Sequence, residues 1–289
     1  MRNLSKAHDA LEFVAKVLFT LAAALSILAV ILICVFLFAG GVPAIGTIGP
    51  AKFLLGRIWR PSSEIYGIFP MILGSVYVTI GALIIGVPLG IFTAAYLSRF
   101  AKPSIAKVLS RGIDLLAGIP SVVFGFFGLM VLVPLIRSIF HVQGMSLLTA
   151  SIILGIMVLP TIVSVSKTAM DSVPDSYYEG ARALGADHER AVFRTILPAA
   201  SSGVLAAITL GIGRAIGETM AVVMIAGNQP IIPTNMLRGV RTLTANVVLE
   251  MGYAADLHRE ALIATAVVLF VFVLLINLTV TALKARSAA

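Results

Sequence analysis

The chain has 289 residues, of which 59% are hydrophobic and 12% are charged, and its mean hydropathy is +1.05. Soluble domains carry about 25% charged residues, so this composition excludes a soluble globular protein and indicates an integral membrane protein. The formal net charge of +8 does not indicate a nucleic-acid partner, because Lys and Arg form no basic stripe and membrane proteins place these residues beside their spans.

Motifs for metal or nucleotide chemistry are missing from the sequence. The single cysteine, Cys34, lies in an apolar run, so neither a disulfide nor a thiolate metal site is expected. The histidines stand singly in polar segments without ligand spacing, and each is expected to be solvated. They are His8, His141, His188 and His258. A phosphate-binding loop of the form G-x-x-x-x-G-K-[ST] does not occur, so this chain is not expected to hydrolyse nucleotide.

Six apolar runs long enough to cross a membrane follow a polar tail at residues 1–16. The first run is longer than a signal-peptide core and has no cleavage site close behind it, so we expect it to be retained. The predicted spans of a single membrane domain, 17–289, are 17–39, 68–97, 112–136, 147–165, 199–226 and 262–283.

Six spans place both termini on one side of the membrane, and the Lys and Arg balance predicts which side. The tails, with Arg2, Lys6, Lys284 and Arg286, share their side with the loop after the second span and with the long loop 167–198. These segments together hold more Lys and Arg than those on the other side, which predicts cytoplasmic termini. The aromatic residues of the first outer loop are expected to anchor it at the membrane interface; they are Trp59, Tyr66 and Phe69.

Arg214 and Glu218 are the only charged residues of the predicted span 199–226. Arg214 lies roughly 20 Å from either end, and an ionisable side chain at that depth is a functional-site hypothesis. A spacing of four residues predicts that the two side chains meet on one helical face. The cation precedes the acid, which is the less favourable order for the helix dipole. One interpretation is that the Arg214 guanidinium binds an anionic substrate and pairs with the Glu218 carboxylate when no substrate is present. The alternative is a structural ion pair that joins this span to a partner helix.

Glycines and a proline break mark two further features of the spans. Gly211, Gly213 and Gly217 favour close helix packing. The string Gly-Ile-Pro-Ser at 118–121 interrupts the third span, and the freed N–H groups there, with the hydroxyl of Ser121, would suit an anion. A proline tolerated in a membrane helix for structural reasons is the alternative.

The long hydrophilic loop 167–198 predicts two short helices near the membrane surface. Ser172 is expected to cap the first, with Asp175 as its partner, and Gly185 permits the break. Asp187 is expected to cap the second. Taken alone, this pattern is also typical of an ordinary amphipathic connector.

The residues of this loop resemble a family signature, E-A-A-x(3)-G-x(9)-I-x-L-P, of ABC importer permeases. The chain departs from it mildly, with Gly180 in place of an alanine and Thr195 in place of isoleucine. The resemblance implies that the loop docks on a cytoplasmic ATPase. The implied ATPase-coupling residues are Glu179, Gly180, Ala181, Gly185, Leu197 and Pro198.

Three more strings narrow the resemblance. Residues 118–125, 213–222 and 59–68 are similar to PstC-type permeases of bacterial high-affinity phosphate importers, and the similarity runs from about residue 50 to the C-terminus. It implies an all-α type I ABC importer permease of six transmembrane helices in the bacterial inner membrane. The implied substrate-pathway residues are Arg214, Glu218, Thr219 and Ser121.

The same resemblance implies the partners of the chain. They are a second, PstA-type permease, two copies of an ATPase subunit, a periplasmic phosphate-binding protein and membrane lipid. ATP and Mg²⁺ would be held by the ATPase, so no cofactor is expected in this chain. The alternatives are a permease for another oxyanion (sulfate, molybdate or phosphonate) and a membrane subunit that senses phosphate or acts as a scaffold.

Overall fold

The computed structural model describes the backbone of residues 2–287 and the side chains of residues 12–280 and 282. The side chains of Arg2, Lys6, His8, Lys284 and Arg286 therefore lie outside the described residues. The fold is all-α apart from one small hairpin, as the sequence predicts. Its elements are α1 (Arg2–Ile48), α2 (Pro50–Leu55), β1 (Trp59–Arg60), β2 (Ile65–Tyr66), α3 (Phe69–Ala95), α4 (Pro103–Gly118), α5 (Ser121–Phe127), α6 (Val133–Phe140), α7 (Leu147–Asp171), α8 (Asp175–Ala183), α9 (His188–Ala191), α10 (Leu197–Ala199), α11 (Ser201–Gly217), α12 (Met220–Ile225), α13 (Leu243–Glu250) and α14 (Asp256–Ser287).

The centre of the molecule is the packing of α3 and α11 against α7. Small residues on α3 face α7 so closely that a Cβ on Gly90 would lie 2.6 Å from the side chain of Ile162, and one on Gly81 would overlap Ser151. A Cβ on Gly211 of α11 would also lie 3.1 Å from the side chain of Ile162. Backbones that approach through small residues gain van der Waals contact without a hydrophobic driving force, which is how helices associate in lipid.

Five helical segments in the described part of the chain are long and apolar enough to cross a membrane. They are Glu12–Ile48, Phe69–Phe100, Ser121–Phe140, Leu147–Asp171 and Asp256–Val280. A sixth is the pair His188–Ala199 and Ser201–Gly217, which is bent by 71°. The six predicted runs thus correspond to five spans, or to six if the bent pair counts as one.

One predicted break is confirmed and one helix boundary differs from the predictions. The run expected at 112–136 is interrupted at 118–121, as predicted, because Pro120 supplies no N–H and its extended backbone (φ −58°, ψ 141°) separates α4 from α5. The run expected at 199–226 ends at Gly217, and a separate short helix, α12, follows it.

α1 and α14 form a peripheral pair. α1 is about 70 Å long at 1.5 Å per residue, and its most apolar window has no buried residue within the described chain. The two helices are in contact where a Cβ on Gly41 would lie 2.7 Å from Val267 and where Phe38 packs edge to face on Phe270. This exposed apolar length suits lipid or another membrane subunit.

We expect Gly74→Ala to lower the free energy of unfolding by about 1–3 kcal/mol, as overpacking in a core does. A Cβ at Gly74 would overlap the carbonyl oxygen of Arg241, and a backbone atom cannot turn aside as a side chain can. The thermal midpoint of the purified protein measures the effect. Gly112→Ala is the control, because a Cβ there meets nothing within 4 Å in the described structure. Equal midpoints for the two variants would contradict the prediction.

Candidate functional site

Arg214 lies in the last turn of α11, against the proline-containing part of α7. Its Nη1 donates a hydrogen bond to Oγ1 of Thr161 at 3.2 Å. The close approach of Gly211 to Ile162, one turn earlier on α11, sets the register that brings the guanidinium to this hydroxyl. A hydroxyl is a neutral acceptor, so this contact leaves the positive charge of Arg214 uncompensated.

Glu218 does not pair with Arg214, which corrects the expectation of a contact on one helical face. The helix ends at Gly217, and Glu218 has an extended backbone (φ −68°, ψ 129°). Its Oε1 accepts a hydrogen bond from the backbone N–H of Ala221 at 3.1 Å. The first N–H groups of α12 have no acceptor within that helix, and the carboxylate satisfies one of them.

The helix break also explains the order of the two charges. Arg214 precedes the carboxyl end of α11, where a cation is favoured, and Glu218 precedes the amino end of α12, where an anion is favoured. The order that disfavours a continuous helix is therefore favourable for two helices. Among the side chains that the structure describes, no carboxylate oxygen comes within 4.0 Å of the Arg214 guanidinium.

Thr219 and Ser121 stand at two breaks that pack side by side. Thr219 precedes α12, and its hydroxyl donates to the carbonyl oxygen of Gly217 at 3.2 Å. Ser121 opens α5 directly after Pro120. α5 and α12 touch closely, since a Cβ on Gly125 would lie 2.9 Å from Cα of Ala221. The fold thus brings the segments of all four predicted substrate-pathway residues to one region.

The glycines of α11 have different surroundings. Gly211 packs on α7, as predicted, whereas Cβ atoms built on Gly213 and Gly217 meet nothing within 4 Å in the described part of the chain. Gly213 and Gly217 therefore do not mediate close helix packing within that part of the chain.

Three of the six predicted ATPase-coupling residues line an exposed groove of about 550 Å³ beside α8. Gly185 has φ +87°, a left-handed conformation that glycine adopts without strain, and it turns the chain out of α8. Asp187 caps α9 by accepting from the N–H of Arg190 at 2.6 Å, as predicted. Leu184 is 91% exposed, an apolar side chain left open beside the groove. Gly180, Ala181 and Gly185 line the groove; Glu179 and Pro198 are exposed and Leu197 is half-buried.

The predicted cap at Ser172 is wrong. α8 begins at Asp175 after Pro174, and the hydroxyl of Ser172 donates instead to the carbonyl oxygen of Ala169 at 2.8 Å. Ser172 directly follows α7, and its hydroxyl bonds to the last turn of that helix.

Sequence reasoning missed a buried polar cluster around Glu250. Oε1 of Glu250 pairs with Nη1 of Arg241 at 2.5 Å, and Oε2 accepts from Nε1 of Trp59 at 2.8 Å. Nε2 of His258 lies 2.9 Å from Oε2. The Glu250 side chain is 8% exposed. The cluster joins the β1–β2 hairpin, α13 and the start of α14 through one carboxylate.

Three predictions fail at this cluster. Trp59 and Tyr66 were expected at the membrane interface, but both are buried and their rings meet edge to face at 5.6 Å. His258 was expected to be solvated, yet it contacts Glu250 and stacks on Tyr66. His188 is likewise bonded, to the hydroxyl of Tyr178 at 2.9 Å. Burial, and secondarily the charge of Glu64, raises the pKa of Tyr66, so its phenol stays neutral at physiological pH.

The sequence did contain one signal for α13. Thr242 precedes a run of mainly apolar residues and caps the helix by accepting from the N–H of Ala245 at 3.2 Å. A Thr before such a run is a helix-start pattern. By contrast, Thr161 and Thr244 have no sequence signal, although Thr244 donates to the carbonyl oxygen of Glu218 at 3.2 Å.

Residues 86–288 match the family described as "Binding-protein-dependent transport system inner membrane component". The chain belongs to this family. It is therefore a permease subunit of an ABC importer and a multi-pass membrane protein, not an enzyme, and it works with a partner ATPase and a binding protein.

Individual relatives cover most of the chain. The "Probable ABC transporter permease protein YqgH" of Bacillus subtilis is 38% identical, over 91% of this chain and 88% of that protein. The "Phosphate transport system permease protein PstC" of Mesorhizobium japonicum is 35% identical, over 84% of this chain and 81% of that protein.

A solved structure of the MetNI methionine ABC transporter, described as inward facing, matches the fold. Its TM-score is 0.58 and it is 19% identical, over 83% of this chain and 98% of that chain. This likeness confirms the permease fold of the importer class, which the resemblance in the sequence implied.

Proposed function

We propose that this permease carries inorganic phosphate from a periplasmic phosphate-binding protein into the cytoplasm. The observation that carries the proposal is Arg214, a guanidinium within a membrane span that donates only to a neutral hydroxyl in the described structure. Relatives named PstC at 30–35% identity support phosphate among the oxyanions.

The chemistry of Arg214 suits a tetrahedral oxyanion. A guanidinium presents five N–H donors in a planar fork that binds two oxygens at once. One N–H is used by Thr161, so the others remain for a ligand. In our proposal Glu218 and Thr219 shape the pathway beside it at the helix break, and Ser121 supplies a hydroxyl from the neighbouring break.

The proposed ATPase contact is the groove beside α8. Ala181 and two glycines allow close approach of a partner surface, Leu184 offers an apolar contact, and Glu179 offers a charge for register. We propose a PstA-type second permease, whose helices would cover the open faces of Gly213 and Gly217, and two ATPase copies that hold ATP and Mg²⁺. This chain itself would bind no cofactor.

We further propose the bacterial inner membrane as the location, with both termini cytoplasmic. The Lys and Arg balance supports this orientation. It places the groove beside α8 on the cytoplasmic side and the Glu250 cluster on the periplasmic side.

Uptake of radiolabelled phosphate and sulfate by cells with and without this subunit tests the substrate. We expect deletion to abolish the high-affinity phosphate uptake and to leave sulfate uptake unchanged. Unchanged phosphate uptake with lost sulfate uptake would assign another oxyanion. Unchanged uptake of both anions, with an altered response of the cells to phosphate, would indicate a sensing subunit instead.

A further inference from the structure

The cytoplasmic end of α3 contacts the groove-bearing loop through three consecutive side chains. This end is a wide π-helical turn, Tyr96–Phe100, and such turns are frequent at functional sites. Ser98 contacts the end of α7, Arg99 contacts the end of α7 and the start of α8, and Phe100 contacts the start of α9. We call these three residues the α3 clamp.

Arg99 makes the most contacts of the α3 clamp. Its Nη1 pairs with Oδ1 of Asp175, the first residue of α8, at 2.9 Å. Its Nη2 donates to the carbonyl oxygens of Met170 at 3.2 Å and Val173 at 3.4 Å. Met170 lies in the last turn of α7, where carbonyl groups lack helical partners and a cation is favoured. One guanidinium therefore holds the end of α7 and the start of α8 together.

Ser98 and Phe100, on either side of Arg99, make further contacts with this part of the chain. Ser98 donates to Oδ1 of Asp171 at 2.5 Å, and Lys167 pairs with the other oxygen of that carboxylate at 2.6 Å. The ring of Phe100 lies 4.5 Å from that of His188, which opens α9. His188 in turn bonds Tyr178 of α8. α8 and α9 are thereby tied to the same turn of α3.

The contacts differ in strength and exposure. The Arg99 side chain is 17% exposed, whereas that of Asp175 is 76% exposed. A pair with one exposed partner contributes little to folding stability, so its position at the first residue of α8 points to orientation of that helix. Two main-chain oxygens hold Nη2 of Arg99, which keeps the guanidinium aimed at α8.

We propose that Arg99 is a positioning residue that transmits the movement of the ATPase-facing loop to α3. This inference rests on the proposed function of that loop as the contact with the ATPase. Through Arg99, α8 and the end of α7 move with α3 as one body, so a shift of α8 on the ATPase reaches the helix that packs along the centre of the fold. No other side chain in the described part of the chain bonds both α7 and the first residue of α8.

The first measurement is the ratio of stimulated to basal ATPase activity. It uses the complete importer in proteoliposomes, stimulated by its binding protein with inorganic phosphate. For Arg99→Gln we expect the ratio to fall to one, for Asp175→Asn to fall partway, and for Arg99→Lys to stay between Arg99→Gln and wild type. Arg111→Gln is the matched control: it is exposed, and its side chain has no hydrogen bond or ion pair among the described residues. A wild-type ratio for Arg99→Gln would overturn the proposal.

The second measurement does not depend on which anion is transported. Spin labels are placed in a Cys34→Ser background on Ala183→Cys of α8, an exposed position that does not line the groove, and on the exposed Leu89→Cys of α3. We expect the same label distance in the nucleotide-free and vanadate-trapped importer, and a distance that shifts between the two states when Arg99→Gln is added. A distance that shifts in the parent, or that stays constant with Arg99→Gln, would overturn the clamp. Failure of phosphate stimulation in the wild type, by contrast, would count only against phosphate as the substrate.

Discussion

Replacing Arg214 by Gln is expected to lower the initial rate of phosphate uptake by about two to four orders of magnitude. Two charge-assisted hydrogen bonds to the anion would be lost, each worth about 1.5–3 kcal/mol. Arg214→Lys keeps the charge but loses the planar fork, so its rate should fall between those of Gln and wild type. The rates are measured with radiolabelled phosphate in proteoliposomes that contain the complete importer.

Glu218→Gln separates this hypothesis from a structural ion pair. The amide oxygen of Gln can still accept from the N–H of Ala221, so the cap of α12 should persist. Since Glu218 does not pair with Arg214 in this structure, the effects of Arg214→Gln and Glu218→Gln should add as free energies in the double variant. Recovery of uptake in the double variant would show that the two residues do pair in the working transporter, and would support the structural interpretation.

Replacing Glu250 by Gln is expected to lower the free energy of unfolding by about 3–5 kcal/mol, because it leaves the Arg241 guanidinium buried without its counter-charge. The side chains of Arg241 and Glu250 are 15% and 8% exposed, so water can do little to solvate the guanidinium that the variant leaves unpaired. Gln retains the shape and an acceptor for Trp59. The loss would therefore report the charge of Glu250 and its hydrogen bond with Arg241, and not its packing.

The free energy of unfolding is measured from the fluorescence of Trp59 during denaturation. Trp59 is the single Trp of the sequence and donates a hydrogen bond to Glu250, so its signal follows the unfolding of this cluster. Glu64→Gln is the matched control: it makes the same substitution at an exposed residue of the hairpin that carries Trp59, without an ion pair among the described side chains. It should change stability by less than about 0.5 kcal/mol. If both variants unfold at the same denaturant concentration, the Glu250 charge does not stabilise the cluster.

The Arg214 and Glu250 predictions concern charges with opposite surroundings. Glu250 has a cation, a histidine and an indole on its two oxygens. Arg214 has one neutral hydroxyl. A buried charge with full compensation stabilises structure, whereas one left without a counter-ion in a membrane span is available to a charged ligand. This contrast is why we place substrate binding at Arg214 and a structural role at Glu250.

The sequence by itself determined that this chain is a membrane protein of helical spans, and where the charge within the spans lies. Backbone groups in lipid must form their hydrogen bonds within their own helix. A run of about 20 apolar residues therefore indicates a helical span directly. The coupling signature around Glu179 and Gly185, and the cap at Asp187, are likewise local, since each depends on neighbours within a few residues.

Only the tertiary structure decided how the charges are paired. The helix end at Gly217, stabilised by Thr244 on the carbonyl oxygen of Glu218, turned a predicted ion pair into a cap and an uncompensated guanidinium. The partners Thr161 for Arg214 and Glu250 for Trp59 are 53 and 191 residues away in the chain. Contacts between such distant residues depend on how helices pack, and the spacing of residues along one helix carries no information about them.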